Sequence, residues 1–160
     1  MTSVDIDSTM PTLEQLTALP NAVTDIVWPA AATDELFAAA AERALRTIVS
    51  SDQLSSEGGV PSEPLATISG GDALVYDADL STSLERIAYS QAGIGRSEAL
   101  VHASAQAALA ADDDGLLVVV DRDAMSAPAA DVAVSALFSV PYLDAGGLDT
   151  LAGAPRSATL

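Results

Sequence analysis

The chain has 160 residues, a length that fits one domain with a substantial buried core. Its 23 acidic residues outnumber six basic residues, all of them arginines, and the formal net charge of -17 argues against nucleic acid and anionic membrane surfaces as partners. Cysteine is absent, which excludes disulfides, thiolate metal sites and a thiol nucleophile.

The acidity has two interpretations. At about 1 M salt the Debye length falls to about 3 Å, so a strongly acidic surface suits a protein from a halophilic host. Arginine without lysine also fits a GC-rich genome, in which case the acidity is incidental. The small total of basic residues, even with arginine in use, favours the halophilic host.

The first predicted elements are short. Residues 1–10 are predicted to form a flexible arm, and residues 11–20 a short helix that a proline ends. Residues 25–28 (Asp-Ile-Val-Trp) predict a brief strand, which Pro29 stops.

Residues 33–50 carry the clearest helical pattern in the chain. Thr33 can cap a helix, and Asp34 and Glu35 suit the positive end of its dipole. The apolar stripe at helical spacing consists of Leu36, Ala40, Ala41, Ala44, Leu45 and Ile48. The pattern predicts one helix through residue 50.

A long polar loop is predicted over residues 50–65, which include two glycines and two prolines. The loop leads into a predicted hairpin, with strands at residues 66–68 and 73–76 on either side of a glycine turn at residues 69–72.

The next segment alternates helical and strand patterns. Residues 82–85 (Thr-Ser-Leu-Glu) form a capping box that predicts a helix start, and Gly93 and Gly95 break that helix. The helix is predicted to resume at Ser97 and to continue to about residue 111. Residues 116–120 are five aliphatic residues and predict a strand buried on both faces.

The last elements are ambiguous. Over residues 130–140, alternating valines favour a strand, while the same segment also fits a helix. Residues 146–160 are predicted to form a loose tail. Together the elements predict one α+β domain over residues 11–145, with three to four helices and a small antiparallel sheet of short strands.

A pair of carboxylates follows the predicted strand at residues 116–120. Asp121 and Asp123, at the carboxyl end of a buried strand, can hold a divalent cation. Haloacid-dehalogenase-like phosphatases use such an arrangement together with a later lysine, and this chain has no lysine. Asp121 and Asp123 are therefore candidate metal ligands, with a solvated turn as the alternative.

No catalytic residue and no cofactor are predicted. His102 is the only histidine and could act as a base for Ser104, but the sequence contains no Gly-x-Ser-x-Gly elbow. Residues 93–97 (Gly-Ile-Gly-Arg-Ser) could hold an anion at a helix start, although any turn between two helices needs the same residue types.

Apolar side chains on the predicted helices are candidates for contact with other proteins. Trp28 is either a core residue or an interface anchor, and the core position is slightly favoured. The candidate interface residues are Trp28, Leu36, Phe37, Leu100 and Val101.

Two local resemblances point to tailed viruses. Residues 26–35 (Ile-Val-Trp-Pro-Ala-Ala-Ala-Thr-Asp-Glu) resemble a segment of tailed-phage head decoration proteins, where the segment lies near the C-terminus, so their whole fold is not implied here. Residues 11–16 (Pro-Thr-Leu-Glu-Gln-Leu), 33–36 (Thr-Asp-Glu-Leu) and the alanines at 38–41 are similar to the opening of head–tail connector adaptors. The likeness spans residues 11–50 and implies a virion structural protein.

The leading hypothesis is a non-enzymatic structural or assembly protein, a head–tail connector or capsid-associated subunit of a tailed virus of a halophile. Its partners would be copies of itself or neighbouring virion proteins, without nucleic acid or membrane. We expect it in the virion or the host cytoplasm, because the N-terminus shows no signal peptide and no apolar run reaches the roughly 20 residues of a membrane span.

Two alternatives remain. One is a small cytoplasmic metal-dependent enzyme or ligand-binding domain that uses Asp121 and Asp123. The other is a regulatory module that docks through the helix at residues 97–111.

Overall fold

The computed structural model describes most of the chain after residue 24. The described residues are 25–55, 64–90, 93–110, 115–120, 124–140 and 156–160, with 143, 146, 148 and 151. They form four α-helices and a five-stranded sheet, which confirms the predicted α+β class. The predicted arm and the helix at residues 11–20 lie outside the described residues.

The sheet is mixed. Its strands are β1 (Ile26–Val27), β2 (Arg46–Ser50), β3 (Leu65–Ile68), β4 (Gly71–Tyr76) and β5 (Arg156–Ser157), in the order β1-β2-β4-β3-β5. Strands β1, β2 and β4 are parallel, β3 is antiparallel to β4, and β5 is parallel to β3. The prediction of an antiparallel sheet was wrong because a helix carries the chain from β1 back to β2, as parallel pairing requires.

One helix lies between β1 and β2 in the chain, and the other three follow β4. They are α1 (Asp34–Glu42), α2 (Ala78–Tyr89), α3 (Ile94–Ala110) and α4 (Ala127–Leu137), and a single 3₁₀ turn covers Ser51–Gln53. Helix α1 connects β1 to β2, and α2 begins directly after β4. None of the helices within the described residues is long and apolar enough to cross a bilayer.

The predicted helix at residues 33–50 was wrong in its second half. Helix α1 begins as expected after Thr33, whose hydroxyl accepts from the Leu36 amide, but it ends at Glu42. Ala44 then adopts a φ of 53°, and the chain enters β2. The β-branched residues of β2 suit a strand, and pairing with β1 and β4 on its two sides outweighs the helical spacing of the apolar positions.

The predicted hairpin is confirmed. Strands β3 and β4 are joined by Ser69 and Gly70, which have φ angles of 49° and 81°. Two successive positive φ angles define the type I′ turn that matches the twist of paired strands, and glycine adopts such angles without strain.

The starts of α2 and α3 differ from the capping-box prediction. Helix α2 begins four residues before Thr82, because the Asp77 carboxylate caps it by accepting from the Leu80 amide at 2.7 Å. The predicted break is present, but α3 begins at Ile94, so Gly93 lies in the turn and Gly95 inside the helix.

Residues 115–120 form neither a helix nor a strand of the described sheet. Both edges of β4 are already paired, with β2 and β3. The segment instead packs beside α2: the Asp77 amide donates to the Leu117 carbonyl at 2.9 Å, and the Val119 amide donates to the Ser81 hydroxyl at 3.2 Å. The strand predicted at residues 116–120 was therefore wrong.

Two C-terminal predictions also need correction. The strand favoured at residues 130–140 is helix α4, in line with the alternative, because it packs an apolar face against α2 and Pro128 lies in its first turn, where its missing amide costs nothing. The tail is not loose over its last residues, since β5 pairs with β3 and Thr159 bridges to Ser55.

The buried apolar residues form two clusters. The sheet core consists of Phe37, Val49, Leu54, Ala66, Ile68, Ala73, Val75 and Ala158. The helical core consists of Leu80, Leu84, Ile87, Ala103, Ala107, Met125, Ala133 and Leu137. Helix α1 approaches the sheet closely at Gly71, where a Cβ atom would lie 2.8 Å from the Phe37 carbonyl oxygen.

Candidate ligand-binding crevice

Three strands end at the same edge of the sheet. Because β1, β2 and β4 are parallel, the residues at or after their carboxyl ends, Trp28, Ser50 and Tyr76, come together there. Ligands of open α/β sheets bind outside the carboxyl ends of the strands. A ligand site is therefore expected at this edge.

A crevice of ≈ 650 Å³ lies at this edge, and we name it the strand-end crevice. A smaller recess of ≈ 170 Å³ shares Trp28, Ser50 and Tyr76 with it, so the two adjoin. Its other lining residues include Pro29, Ala30, Gln53 and Val120 in the larger part, and Asp52, Ser81, Thr82, Glu85 and Val119 in the recess.

An aromatic pair lies between the two parts of the crevice. The rings of Trp28 and Tyr76 are in edge contact, with centroids 6.3 Å apart and planes at 61°. Trp28 remains 51% exposed, so the slightly favoured core position was wrong. Its position follows from the short ladder between β1 and β2 and from Pro29, which ends the strand.

The hydroxyl of Ser81 is held by the fold. It donates to the Asp77 carbonyl at 2.7 Å and accepts from the Val119 amide at 3.2 Å. The bonds hold residues 115–120 against α2, and they leave the hydroxyl without a free proton for a ligand. Ser81 shapes the recess and is no nucleophile.

The start of α2 faces this region but offers few free amides. The Ala78 amide donates to the Ser51 hydroxyl at 3.1 Å, and the Leu80 amide donates to the Asp77 carboxylate at 2.7 Å. A helix start binds anions through unsatisfied amides. With these two satisfied by the protein, and with a carboxylate already at the helix start, an anion gains little here.

The charge of the crevice is negative. Asp52 and Glu85 contribute carboxylates, and none of the described residues that line it is basic. Arg46, on the neighbouring strand, is engaged elsewhere, because its guanidinium donates to both oxygens of Asp25, with a shortest distance of 2.9 Å.

The candidate metal ligands Asp121 and Asp123 lie outside the described residues, so the metal site stays a prediction. Val119 and Val120, which precede them in the sequence, line the crevice and are half-buried. Within the part of the chain that the structure describes, no group of three or more histidines and carboxylates is placed to hold a metal ion.

The other candidate interface residues have different environments. Phe37 is completely buried in the sheet core, where it cannot reach a partner, and Leu36 is half-buried. Leu100 is half-buried against the helical core, whereas Val101 is 69% exposed on the outer side of α3. The exposure of Val101 is shared by Ile94 and Leu109, which sequence reasoning did not single out.

The polar residues of α3 have structural partners. His102 and Ser104 point to different sides of the helix, and the Ser104 hydroxyl donates to the Leu100 carbonyl at 2.7 Å. His102 lies 3.5 Å from the hydroxyl of buried Ser83, which itself donates to Gln106 at 2.6 Å. The Arg96 guanidinium donates to the Ser90 carbonyl at the end of α2, so it serves the junction between the two helices.

Comparison with protein-family models, with curated proteins and with solved structures found no match for this chain.

Proposed function

We propose that the chain is a small-molecule-binding domain whose site is the strand-end crevice. One observation carries the proposal: the carboxyl ends of three parallel strands meet at a crevice of ≈ 650 Å³ that contains a half-exposed tryptophan. Concave sites with aromatic walls and a few polar groups are the usual form of small-molecule sites.

The experiment blocks the crevice and leaves the core unchanged. The ¹H–¹⁵N spectrum of the full chain is followed while glucose, choline, citrate and adenosine are added separately. At least one probe is expected to shift the Trp28 indole signal saturably. Ala30→Trp places a large ring at an exposed lining position and is expected to suppress that shift.

Ala38→Trp is the matched control, since Ala38 is exposed on α1 and does not line the crevice. It should leave the probe-induced shift unchanged. The proposal is overturned if none of the four probes shifts the signal, or if Ala30→Trp and Ala38→Trp behave alike.

The metal-dependent form of this function rests on Asp121 and Asp123. A thermal-shift assay with magnesium, manganese and calcium tests it, because a bound ion stabilises the folded chain. We expect a shift specific for one ion that Asp121→Asn abolishes; equal responses of the two proteins would exclude the site.

The second proposal is an assembly subunit, such as the connector or capsid-associated subunit that the viral resemblance implies. Its support is the outer side of α3, where Ile94, Val101 and Leu109 are 80%, 69% and 89% exposed. Exposed apolar stripes of this kind mark protein contacts. The expected occupant is a second copy of this chain, because the one acid of α3, Glu98, is offset by Arg96 on the same helix, so repulsion between two acidic copies is small there.

Light scattering during size-exclusion chromatography in molar salt tests this second proposal. A multimer is expected for the native chain, and Val101→Asp should shift it toward the monomer. Glu98→Asp, on the same side of α3, is the control and should leave the multimer intact. A monomer at every salt concentration would overturn the proposal.

A further inference from the structure

We infer that the strand-end crevice binds a small organic cation, of the quaternary or tertiary ammonium class. The inference rests on the proposed function and names the chemistry of its ligand.

The first support is the sign of the charge. Asp52 and Glu85 line the recess, and no arginine or histidine is among the described lining residues. The chain as a whole has a net charge of -17, so its field repels anions and concentrates cations. A phosphate or carboxylate ligand would enter the crevice without a counter-charge.

The second support is the geometry of the aromatic pair. The Trp28 and Tyr76 planes meet at 61° in an edge contact, so the faces of the two rings turn in different directions. A cation is attracted to an aromatic face within about 6 Å of its centre, and tryptophan provides the strongest such face. Both rings line both parts of the crevice, so a cation there can contact a ring face and lie beside a carboxylate.

The third support is the start of α2. Its amides at Ala78 and Leu80 are occupied by Ser51 and Asp77, which removes two backbone donors that an anion would use at a helix start. Beside the polar side chains of Ser50, Gln53 and Thr82, the walls offer aromatic surface and carboxylate oxygen. An alkylated ammonium ion uses both of these and needs no hydrogen-bond donor from the protein.

The experiment compares choline with its neutral isostere. Choline chloride and 3,3-dimethylbutan-1-ol have the same shape and differ in one charge. In isothermal titration calorimetry at low ionic strength, choline is expected to bind saturably and the alcohol to show no binding. Sodium chloride at the same ionic strength measures general attraction of cations to the acidic surface.

Variants assign the binding to the crevice. Glu85→Gln removes one of the two recess carboxylates, and Trp28→Leu removes the principal ring; each is expected to weaken choline binding about fivefold. Glu42→Gln is the matched control, because Glu42 is exposed at the end of α1 and precedes β2, at the opposite edge of the sheet. It loses the same charge and should keep the native affinity. Far-ultraviolet circular dichroism verifies that every variant is folded.

The outcomes separate this inference from the proposed function. If glucose or adenosine binds in a manner that Ala30→Trp suppresses and choline does not bind, the cation inference is overturned and the binding domain stands. Equal binding of choline and its isostere, or equal weakening by Glu85→Gln and Glu42→Gln, also overturns the inference. If no probe binds, both proposals are overturned.

Discussion

The sheet core and the helical core are built differently. In the sheet core a single large residue, Phe37, lies under β-branched side chains such as Val49, Ile68 and Val75, whose strands are tied by hydrogen bonds between distant parts of the chain. The helical core packs leucine and methionine against alanine, and the hydrogen bonds of its helices are local.

Helix α2 joins the two regions. Its Leu80 and Leu84 pack in the helical core, while Thr82 and Glu85, on another side of the helix, line the crevice. The remaining walls come from the carboxyl ends of the strands, from the segments that follow β1 and β2, and from residues 119–120. A ligand bound in the crevice would therefore depend on the long-range order of the sheet, and on the helical core through α2 and through Val120, which packs against that core.

The largest expected effect breaks the sheet core. Phe37→Ala should reduce the free energy of unfolding by about 3–5 kcal/mol, because it empties the space of a fully buried ring. Urea denaturation followed by circular dichroism measures it. Phe138→Ala, at a half-exposed ring, is the control and should cost much less; similar losses would contradict the assignment of Phe37. Phe37→Leu serves if the alanine variant does not fold.

The corresponding change in the helical core is at Leu84. Leu84→Ala should cost about 2–5 kcal/mol, because Leu84 is almost fully buried between helices. Denaturation is followed by far-ultraviolet circular dichroism and by fluorescence of Trp28 at the sheet edge. If the cores unfold together, both curves shift equally; a shift in circular dichroism alone would show that they unfold separately.

Alanine substitution of two glycines, one at the contact between α1 and the sheet and one away from it, tests how close that contact is. Gly71→Ala should cost about 1–3 kcal/mol, because its methyl group would collide with the Phe37 carbonyl oxygen. Gly95→Ala is the control: its methyl group would meet nothing within 4 Å, and because Gly95 lies in the first turn of α3 the change should stabilise by at most about 0.5 kcal/mol. Thermal unfolding measures whether each variant is more or less stable than the native chain, and an unchanged stability of Gly71→Ala would refute the close approach.

A smaller gain is expected at Thr47. Within the described residues its hydroxyl is buried in β2 and has no hydrogen-bond partner. Thr47→Val keeps the shape and removes the unsatisfied group, so we expect stabilisation of about 1 kcal/mol. Thr67→Val on β3, at a half-buried threonine, is the comparison in urea denaturation. A loss of stability at residue 47 would indicate a partner for the hydroxyl.

The smallest change in stability is expected beside β1, the outermost strand on one side of the sheet. Asp25→Asn weakens the ion pair with Arg46, which is partly exposed, and should cost at most about 1 kcal/mol. The cost should shrink in molar salt because exposed charges are screened there. Unfolding at low and high salt measures both values, and a cost that persists unchanged in high salt would disagree with this assignment.

Local chemistry made part of the fold predictable. The hairpin follows from a glycine turn between two apolar runs, and the start of α1 follows from Thr33 and the acids after it. The structure of β2 could not be predicted in the same way, because its apolar positions continue the stripe of α1. Its strand conformation depends on pairing with β1 and β4, which are distant in sequence.

The crevice was missed for the same reason. With residues 46–50 assigned to a helix, no parallel strands were expected, and nothing brought Trp28, Ser50 and Tyr76 together. The sequence did contain one signal: an aromatic residue, Trp28 or Tyr76, closes each of two segments with a strand pattern. Glu85 could be recognised only once α2 was known to follow β4 directly.

Strand β5 has a consequence for how the chain behaves in concentrated solution. Its two residues cover β3 at Ala66 and Thr67, on the side of the sheet away from β1. An uncovered strand presents unpaired amides and carbonyls to which foreign chains can add, the first step toward fibrils. A chain shortened before residue 156 would therefore be more prone to aggregate, and it would also lose Ala158 from the sheet core.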